Sequence, residues 1–380
     1  MPLSFTEDHA IFRRSVAAFV AKEITPYVAE LEEDGQVPRE IFKMLGDLGF
    51  LGVRLSEEYG GAGQDFLYTT VLLEELLRCG SLGVTVSIMA HAEFATKVID
   101  RAGSDSLRER FVRPAITGEM IGALGVTEPG AGSDVAAVST KAVRDGSDFI
   151  INGAKTFITN GTIADFVTLA VRTGSEGHGG VSLVVVPLNS AGIEKSRLKK
   201  TMCHASDTAE LFFSDVRVPV VNLLGPEGGG FRLIMEGFEG ERLVLSVIAC
   251  TQMRLLFEAA KRQGLEREAF GQKLLGYQVW QHRLADVLTK ITVAETMAYR
   301  AVDMYVRGES ANAEISMAKL FSTELAHEVA HECAQIFGGM GLMEETPVAR
   351  LARDCMGFTV GAGTSEMMRT IIAKSSGLMP

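Results

Sequence analysis

The stretch of sequence that decides the fold is residues 124–134, LGVTEPGAGSD, together with residues 152–161, NGAKTFITNG. Around these two Gly-rich segments the apolar runs are short, and Gly, Asn, Asp and Pro interrupt them at close intervals. That pattern predicts a small β domain over residues 121–222. Its strands are expected at Val135–Val143, Phe149–Ile151, Phe166–Val171, Val181–Val186 and Ala209–Phe213.

On both sides of this β domain, apolar residues recur at the three- and four-residue spacing of amphipathic helices. Residues 1–120 predict an all-α domain, whose first helix starts at the capping pattern Ser4-x-x-Glu7. Residues 223–380 contain long helical segments joined by short loops, which predicts an antiparallel four-helix bundle. The expected helices are Asp8–Lys22, Arg39–Leu48, Tyr68–Cys79, Gly83–Arg101, Ser106–Thr117, Arg232–Gln263, Gln278–Arg307 and Asn312–Phe337.

The composition excludes several classes of partner. At 380 residues the chain can form two or three packed units, since single cores rarely exceed roughly 250–300 residues. The net charge is −11 and no block of Lys or Arg occurs, so we expect no nucleic-acid partner. No long uncharged apolar run occurs, so we expect no membrane insertion. The five cysteines are scattered and no signal peptide precedes the first helix, which favours a cytoplasmic location.

The two Gly-rich segments closely resemble the signature segments of the acyl-CoA dehydrogenase family. The bundle carries further segments that the family shows in the same order and at similar spacing. These are Arg267-x-x-Phe270-Gly271, Gln278, Gln335-Ile-Phe-Gly-Gly339 and Gly361-Ala-Gly-Thr-Ser365-Glu366. The resemblance covers essentially the whole chain. It implies the α+β acyl-CoA dehydrogenase fold: an N-terminal helical domain, a middle β-barrel-like domain and a C-terminal four-helix bundle. It also implies FAD as cofactor and a homotetramer.

The resemblance assigns FAD contacts to both the β domain and the bundle. Gly130 and Gly132 have no Cβ to block a flavin, and Thr127 and Ser133 offer hydroxyls. Without the family context, this segment is more simply a polar turn, and Arg267 a solvated charge. Phe157 stands where most members have Trp, so ring stacking is kept and an indole N–H contact is lost. The expected FAD-binding residues are Leu124, Val126, Thr127, Gly132, Ser133, Phe157, Ile158, Thr159, Arg267, Phe270, Gln278, Gln335, Ile336, Gly338, Gly339, Thr364, Ser365 and Glu366.

The reaction requires a carboxylate to remove the α proton of a polarised thioester. Most of the family has this Glu where the chain has Ala362. A second solution in the family, in isovaleryl-CoA and long-chain dehydrogenases, places it where the chain has Glu241, so the resemblance is to the isovaleryl-CoA dehydrogenase-like subtype. Glu241 is therefore the expected base, although a helix carboxylate paired with Arg is the simpler interpretation of that residue alone. Expected substrate contacts are Ser133, Glu239, Arg242, Ala362 and Gly363, with the Ala362 N–H on the thioester oxygen.

Two histidine features carry competing interpretations. His327-Glu328-Val-Ala-His331 matches the HExxH pattern, in which two His one turn apart bind zinc. No third His follows it, and it falls inside a bundle helix, so we expect no metal. His91 lies near the region where the family places its acyl pocket, but a core or surface position is the simpler expectation.

The function implied is FAD-dependent α,β-dehydrogenation of an acyl-CoA to the trans-2-enoyl-CoA, with electrons passed to electron-transferring flavoprotein. Two alternatives remain. One is an oxidase or monooxygenase of the same fold, which would let dioxygen reach the reduced flavin. The other is an inactive flavoprotein scaffold, for which the Ala at position 362 is the only support.

Overall fold

The computed structural model of the protein describes residues 5–379. Its first part is helical. The first helix begins after Thr6, whose side chain accepts a hydrogen bond from the His9 backbone N–H; the predicted start at Ser4 lies outside the described residues. The helices are α1 (Glu7–Phe19), α2 (Val28–Asp34), α3 (Arg39–Asp47), α4 (Phe66–Leu77), α5 (Leu82–Met89), α6 (Lys97–Ala102), α7 (Asp105–Leu107) and α8 (Arg113–Ile116).

Within residues 5–379, the middle part of the chain forms an eight-stranded sheet. Its order is β6-β7-β3-β2-β4-β5-β8, and β1 pairs in parallel with β4. The strands are β1 (Gly122–Gly125), β2 (Lys141–Asp145), β3 (Asp148–Thr159), β4 (Phe166–Arg172), β5 (Val181–Pro187), β6 (Ile193–Arg197), β7 (Thr208–Pro219) and β8 (Leu223–Leu224). The fold class predicted from the sequence is confirmed, while the unit boundaries after residues 120 and 222 remain a proposal.

One predicted strand is wrong. Residues 135–143 were expected to be a single strand, but Val135–Ala137 form a 3₁₀ turn and the strand starts only at Lys141. The cause is a side chain outside the segment. The Glu128 carboxylate accepts hydrogen bonds from the backbone N–H groups of Ser139 and Thr140, so these groups do not enter the ladder.

The last part is the helical bundle. Its helices are α9 (Gly230–Glu266), α10 (Gln278–Val306), α11 (Asn312–Gln335), α12 (Pro347–Asp354) and α13 (Ser365–Ser375), and the hairpin β9 (Glu268–Ala269) and β10 (Gln272–Lys273) joins α9 to α10. Helix α9 also contacts α4 and α6 of the first part and β5 of the sheet. Because α9 contacts all three parts, its residues can bring groups from each of them into one site.

Two helical segments are long and apolar enough to cross a membrane: Leu82–Ala102 and Gly230–Glu266. However, 78% and 72% of their most apolar stretches are buried inside the protein. Both segments are packed in the core, where their apolar side chains contact other helices and the sheet.

Candidate active site

The two Gly-rich segments are held together by a buried ion pair. Lys155 Nζ lies 2.7 Å from Glu128 Oε1 and also donates to the Val126 carbonyl oxygen at 3.2 Å. Burial disfavours the charged carboxylate, but Lys155 and the hydrogen bonds from Ser139 and Thr140 outweigh it and lower the pKa of Glu128 to about 2. Because removing one partner of a buried pair leaves an uncompensated charge, this pair fixes the relative position of the segments.

The two segments held by this pair present hydroxyl groups that the protein does not use. The hydroxyls of Thr127, Ser133 and Thr159 make no side-chain hydrogen bond within the described residues, and Ser133 is exposed. A Cβ on Gly132 would meet no protein atom within 4 Å. The fold itself therefore does not require glycine at that position, and the space beside it is open.

Phe157 is held in an unusual conformation beside the loop. The pairing of β3 with β7 shifts register between Lys155 and Ile158, and within this irregularity Phe157 has φ +60°. Its side chain is 69% exposed, whereas Ile158 is buried. A non-Gly residue with positive φ costs on the order of 1–3 kcal/mol and occurs preferentially at functional sites. The exposed ring is thus positioned by the backbone rather than by packing.

The predicted base lies about three turns into α9 and faces a cavity. The Glu241 side chain lines a cavity of about 220 Å³ and also a smaller apolar recess of about 20 Å³. Its carboxylate forms no hydrogen bond or ion pair within residues 5–379. Burial raises the pKa of Glu241 to about 7, against the opposing effect of Arg242. A carboxylate with a pKa near neutrality can accept a proton at physiological pH.

The wall of the larger cavity comes largely from the first helical part, and these residues were not identified from the sequence. Arg54 pairs with Glu93 at 2.7 Å, and its guanidinium lies 4.9 Å from the Phe66 ring centroid. The signal that could have found the wall is the pair of cations Lys97 and Arg101, which are spaced i, i+4 and therefore lie on one face of α6. The cavity lining is Arg54, Glu93, Phe94, Lys97, Val98, Arg101, Glu236, Gly237, Gly240, Glu241 and Tyr305.

The loop before α13 also has an unusual backbone. Ala362 has φ +52° and Gly363 has φ +100°. The Arg242 Nε donates to the Ala362 carbonyl oxygen at 3.4 Å, and Lys319 Nζ donates to the Gly363 carbonyl oxygen at 2.7 Å. The Ala362 backbone N–H donates to no protein group within the described residues. The structure thus brings this loop next to the helix that carries Glu241.

The remaining residues near this loop have distinct surroundings. Thr364 caps α13 by accepting from the Met367 N–H, and the Ser365 hydroxyl is buried without a partner. Glu366 is exposed, and hydrogen bonds from its own backbone N–H and from Thr364 lower its pKa. Glu239 is partly buried; burial raises its pKa despite the nearby Arg242.

The other predicted FAD residues of the bundle lie far from Glu241 in the same chain. Arg267 is exposed just after α9, and at 1.5 Å per residue it is about 39 Å along the helix from Glu241. Phe270 is fully exposed at the turn of the β9–β10 hairpin, with φ +50°. Gly264 packs against Ile336, so this end of α9 lies beside residues 335–339. Of these residues, Gln278, Gln335, Gly338 and Gly339 are exposed and Ile336 is buried.

The two histidine features differ in their surroundings. His91 is buried; it accepts from the Gly122 N–H at 2.9 Å, and its Nε2 lies 3.0 Å from the Ala115 carbonyl oxygen. Burial lowers the pKa of His91 to about 4. In the HExxH segment, Glu328 forms an ion pair with Lys290. No group of three metal-ligating side chains exists among the described residues.

Comparison with known proteins agrees with this architecture. Residues 6–119, 123–216 and 228–377 match the acyl-CoA dehydrogenase N-terminal, middle and C-terminal domains. The crystal structure of a probable acyl CoA dehydrogenase from Mycobacterium abscessus is 45% identical with a TM-score of 0.96, over 98% of this chain and 99% of that chain.

Two curated relatives are similar over nearly the full length. The mitochondrial long-chain specific acyl-CoA dehydrogenase of Rattus norvegicus is 37% identical over 97% of this chain and 86% of its own length. The mitochondrial isovaleryl-CoA dehydrogenase of Pongo abelii is 33% identical over 97% of this chain and 89% of its own length. From its fold, its domain matches and these relatives, the chain belongs to the acyl-CoA dehydrogenase family of flavoprotein oxidoreductases.

Proposed function

We propose that this enzyme uses FAD to convert an acyl-CoA thioester to the trans-2-enoyl-CoA, with Glu241 as the base that removes the α proton. The observation that carries the proposal is the state of the Glu241 carboxylate. It faces a cavity, has no protein partner within residues 5–379, and has a pKa raised to about 7 by burial. A structural carboxylate would instead be paired or hydrogen-bonded, as Glu128 is.

The protein groups around Glu241 suit removal of a weakly acidic proton. The α proton becomes acidic enough only when donors polarise the thioester carbonyl. We assign that role to the free Ala362 N–H, because Ala362 contributes its backbone and needs no side chain for it. Glu239, Arg242, Gly363 and Ser133 are proposed to contact the substrate, and Arg242 also contacts the Ala362 carbonyl.

The residues of the β domain fit a flavin. The unpaired hydroxyls of Thr127, Ser133 and Thr159, the open space beside Gly132 and the exposed Phe157 ring form a polar edge next to an aromatic face. Thr364, the unpartnered Ser365 hydroxyl and Glu366 would add donors and acceptors from the bundle. Leu124, Val126 and Ile158 are proposed to make apolar or backbone contacts. When bound, FAD supplies the hydride acceptor for the substrate β carbon.

We further propose a homotetramer, in which the residues at the far end of α9 act on the FAD of a neighbouring subunit. These residues are Arg267, Phe270, Gln278, Gln335, Ile336, Gly338 and Gly339. The separation of about 39 Å along α9 prevents Arg267 from reaching the flavin beside Glu241 in its own chain. The same end of the bundle exposes Phe270 completely and Leu342 to 78%, and burial of such groups favours association.

The finer assignments rest on the position of the base. A Glu at 241 with Ala at 362 favours the isovaleryl-CoA dehydrogenase-like subtype. The recess of about 20 Å³ beside Glu241 has room for one methyl-sized group, as a branched acyl chain would carry.

We propose electron-transferring flavoprotein as the electron acceptor. A cytoplasmic location is proposed because all five cysteines are free and buried.

The test of the base is Glu241→Gln, which keeps the side-chain shape and removes proton acceptance. Reduction of bound flavin by the best acyl-CoA of a chain-length panel should slow by about 10²–10⁴-fold, with little change in FAD content or acyl-CoA affinity. Glu258→Gln is the matched control, because Glu258 is an exposed carboxylate on the same helix. Flavin reduction at the wild-type rate in Glu241→Gln would show that the base lies elsewhere.

The same preparation separates the alternatives. A dehydrogenase should reduce its flavin anaerobically and transfer electrons to electron-transferring flavoprotein faster than to dioxygen. Rapid oxygen consumption with peroxide release would favour the oxidase alternative. If wild-type enzyme reduces its flavin with no acyl-CoA of a broad panel, the inactive scaffold is favoured.

A further inference from the structure

Lys319 is a buried lysine that the reaction as described so far does not use. It lies in the middle of α11 with no exposed side-chain surface, and its ammonium makes one hydrogen bond, to the Gly363 carbonyl oxygen at 2.7 Å. Burying an ammonium group without a carboxylate partner costs several kcal/mol. A methionine at this position would avoid that cost, so stability of the helix does not explain the lysine.

The charged groups facing Lys319 come from three helices. Burial, with a smaller contribution from Arg242 on α9, lowers its pKa to about 8. The carboxylates of Glu324 on the same helix and Glu366 on α13 oppose this lowering of the pKa only in part. The lysine therefore carries a weakly compensated positive charge, directly behind the loop that contains Ala362.

Two cations hold two consecutive carbonyl groups of this loop. Arg242 contacts the Ala362 carbonyl oxygen and Lys319 contacts that of Gly363. Because each peptide group is planar, these two contacts fix the Gly363 and Thr364 N–H groups, and with them the turn that directly follows the Ala362 N–H. Ala362 has φ +52°, a conformation that a non-Gly residue keeps only when its surroundings hold it there.

We propose that Lys319 is a positioning residue for the dehydrogenation reaction. By binding the Gly363 carbonyl it holds the Gly363–Thr364 peptide group. Together with Arg242 on the preceding carbonyl, it keeps Ala362 in its positive-φ conformation, in which the free Ala362 N–H faces the thioester carbonyl oxygen. This inference rests on the proposed function. Negative charge develops on that oxygen as Glu241 takes the α proton, and a fixed donor with a cation behind it stabilises the charge without reorganising.

The primary variant is Lys319→Met, which keeps the length of the side chain and removes its charge and hydrogen bond. The limiting rate of flavin reduction should fall about 10- to 100-fold, somewhat less than for loss of a direct oxyanion donor. The dissociation constant of the acyl-CoA should change less than about threefold, because the interaction acts on developing charge. Lys319→Arg should recover part of the rate.

The matched control is Thr323→Val. Thr323 is buried on the next turn of α11 and donates to the Lys319 carbonyl oxygen at 2.6 Å, so this variant disturbs the same helix without touching the loop. It should reduce its flavin at close to the wild-type rate. A rate loss equal to that of Lys319→Met would show that general loosening of α11 explains both variants, and would overturn the proposal.

The decisive readout is the carbonyl stretch of a ¹³C-labelled enoyl-CoA bound to the enzyme, measured by infrared difference spectroscopy. Wild-type enzyme and Glu241→Gln should both shift the stretch to lower frequency than in solution. Lys319→Met should lose much of this shift. If Lys319→Met does not fold, Lys319→Gln tests the charge alone, because its amide can still donate to Gly363; this variant should lose part of the carbonyl shift.

The pH profile gives an independent readout. The wild-type rate should decline above about pH 8, where Lys319 loses its proton, and Lys319→Arg should move this decline to higher pH. If Lys319→Met keeps the wild-type carbonyl shift, the wild-type rate and the wild-type decline above pH 8, Lys319 does not position the loop. The proposed dehydrogenation would still stand in that case. If no acyl-CoA reduces the flavin of the wild-type enzyme, the proposed function itself is overturned.

Discussion

Replacing Glu241 by Gln should make the protein more stable while it makes the enzyme less active. The pKa of this carboxyl rises from 4.5, its ordinary value, to about 7 because of burial. Between these two values the folded state binds more protons than the unfolded state, so the free energy of unfolding falls as the pH rises. The carboxylate is therefore least favourable for stability at the pH where the reaction needs it.

The magnitude follows from the size of the shift. At 1.36 kcal/mol per pKa unit, the full penalty approaches about 3 kcal/mol above pH 7, and about 2.5 kcal/mol of it develops between pH 5 and pH 8. A neutral Gln does not have this penalty. With an unfolding entropy of about 2.1 cal/mol/K per residue, 2.5 kcal/mol corresponds to roughly 3 °C in Tm for a chain of this length.

Scanning calorimetry of the holoenzyme at pH 5 and pH 8 measures this effect. The Tm difference between Glu241→Gln and wild type should be about 3 °C larger at pH 8 than at pH 5. Glu258→Gln, an exposed substitution on the same helix, should show the same Tm difference from wild type at both pH values. If the advantage of Glu241→Gln does not depend on pH, the carboxyl does not have a raised pKa in the folded protein.

Three further substitutions test other parts of the site. Arg267→Ala removes a proposed charge-assisted contact worth roughly 1.5–3 kcal/mol, so FAD occupancy after dialysis should fall about tenfold or more; full retention would contradict its assignment. Lys155→Met leaves the buried Glu128 carboxylate unpaired and should cost about 3–5 kcal/mol, seen as a lower Tm; an unchanged Tm would show that the pair is not needed. Ala362→Glu added to Glu241→Gln should restore part of the flavin reduction rate, since Ala and Glu are similarly strained at φ +52°; no gain in rate would show that position 362 does not face the α carbon.

The long helices could be predicted from the sequence because their information is local. The apolar repeat predicted a helix over Arg232–Gln263, and α9 spans Gly230–Glu266. The strand predicted over Val135–Val143 was wrong because a distant side chain determined it. The carboxylate of Glu128, at least seven residues away, takes the backbone N–H groups of Ser139 and Thr140. No periodicity within the segment contains that information.

In the candidate site, too, some residues could be predicted from the local sequence and others could not. The position of Glu241 followed from a contiguous motif, and its cavity and raised pKa agree with the role proposed for it. Lys319 could not be identified in this way. It stands in the apolar run ISMAKLF, where a lysine is usually expected to extend its charge to solvent. Only the packing of α11 against the loop before α13 shows that its ammonium is buried on the Gly363 carbonyl.

The spatial link between the base and the loop explains how a chain with Ala at position 362 can keep the proposed chemistry. Proton removal requires a carboxylate, while polarisation of the thioester requires only a backbone N–H, so the two tasks can lie on different elements. Here α9 carries Glu241, and the next residue, Arg242, contacts the Ala362 carbonyl. Any shift of α9 that moves the base therefore also moves the loop that holds the N–H. The relative position of the two groups is thus maintained by adjacent residues of one helix.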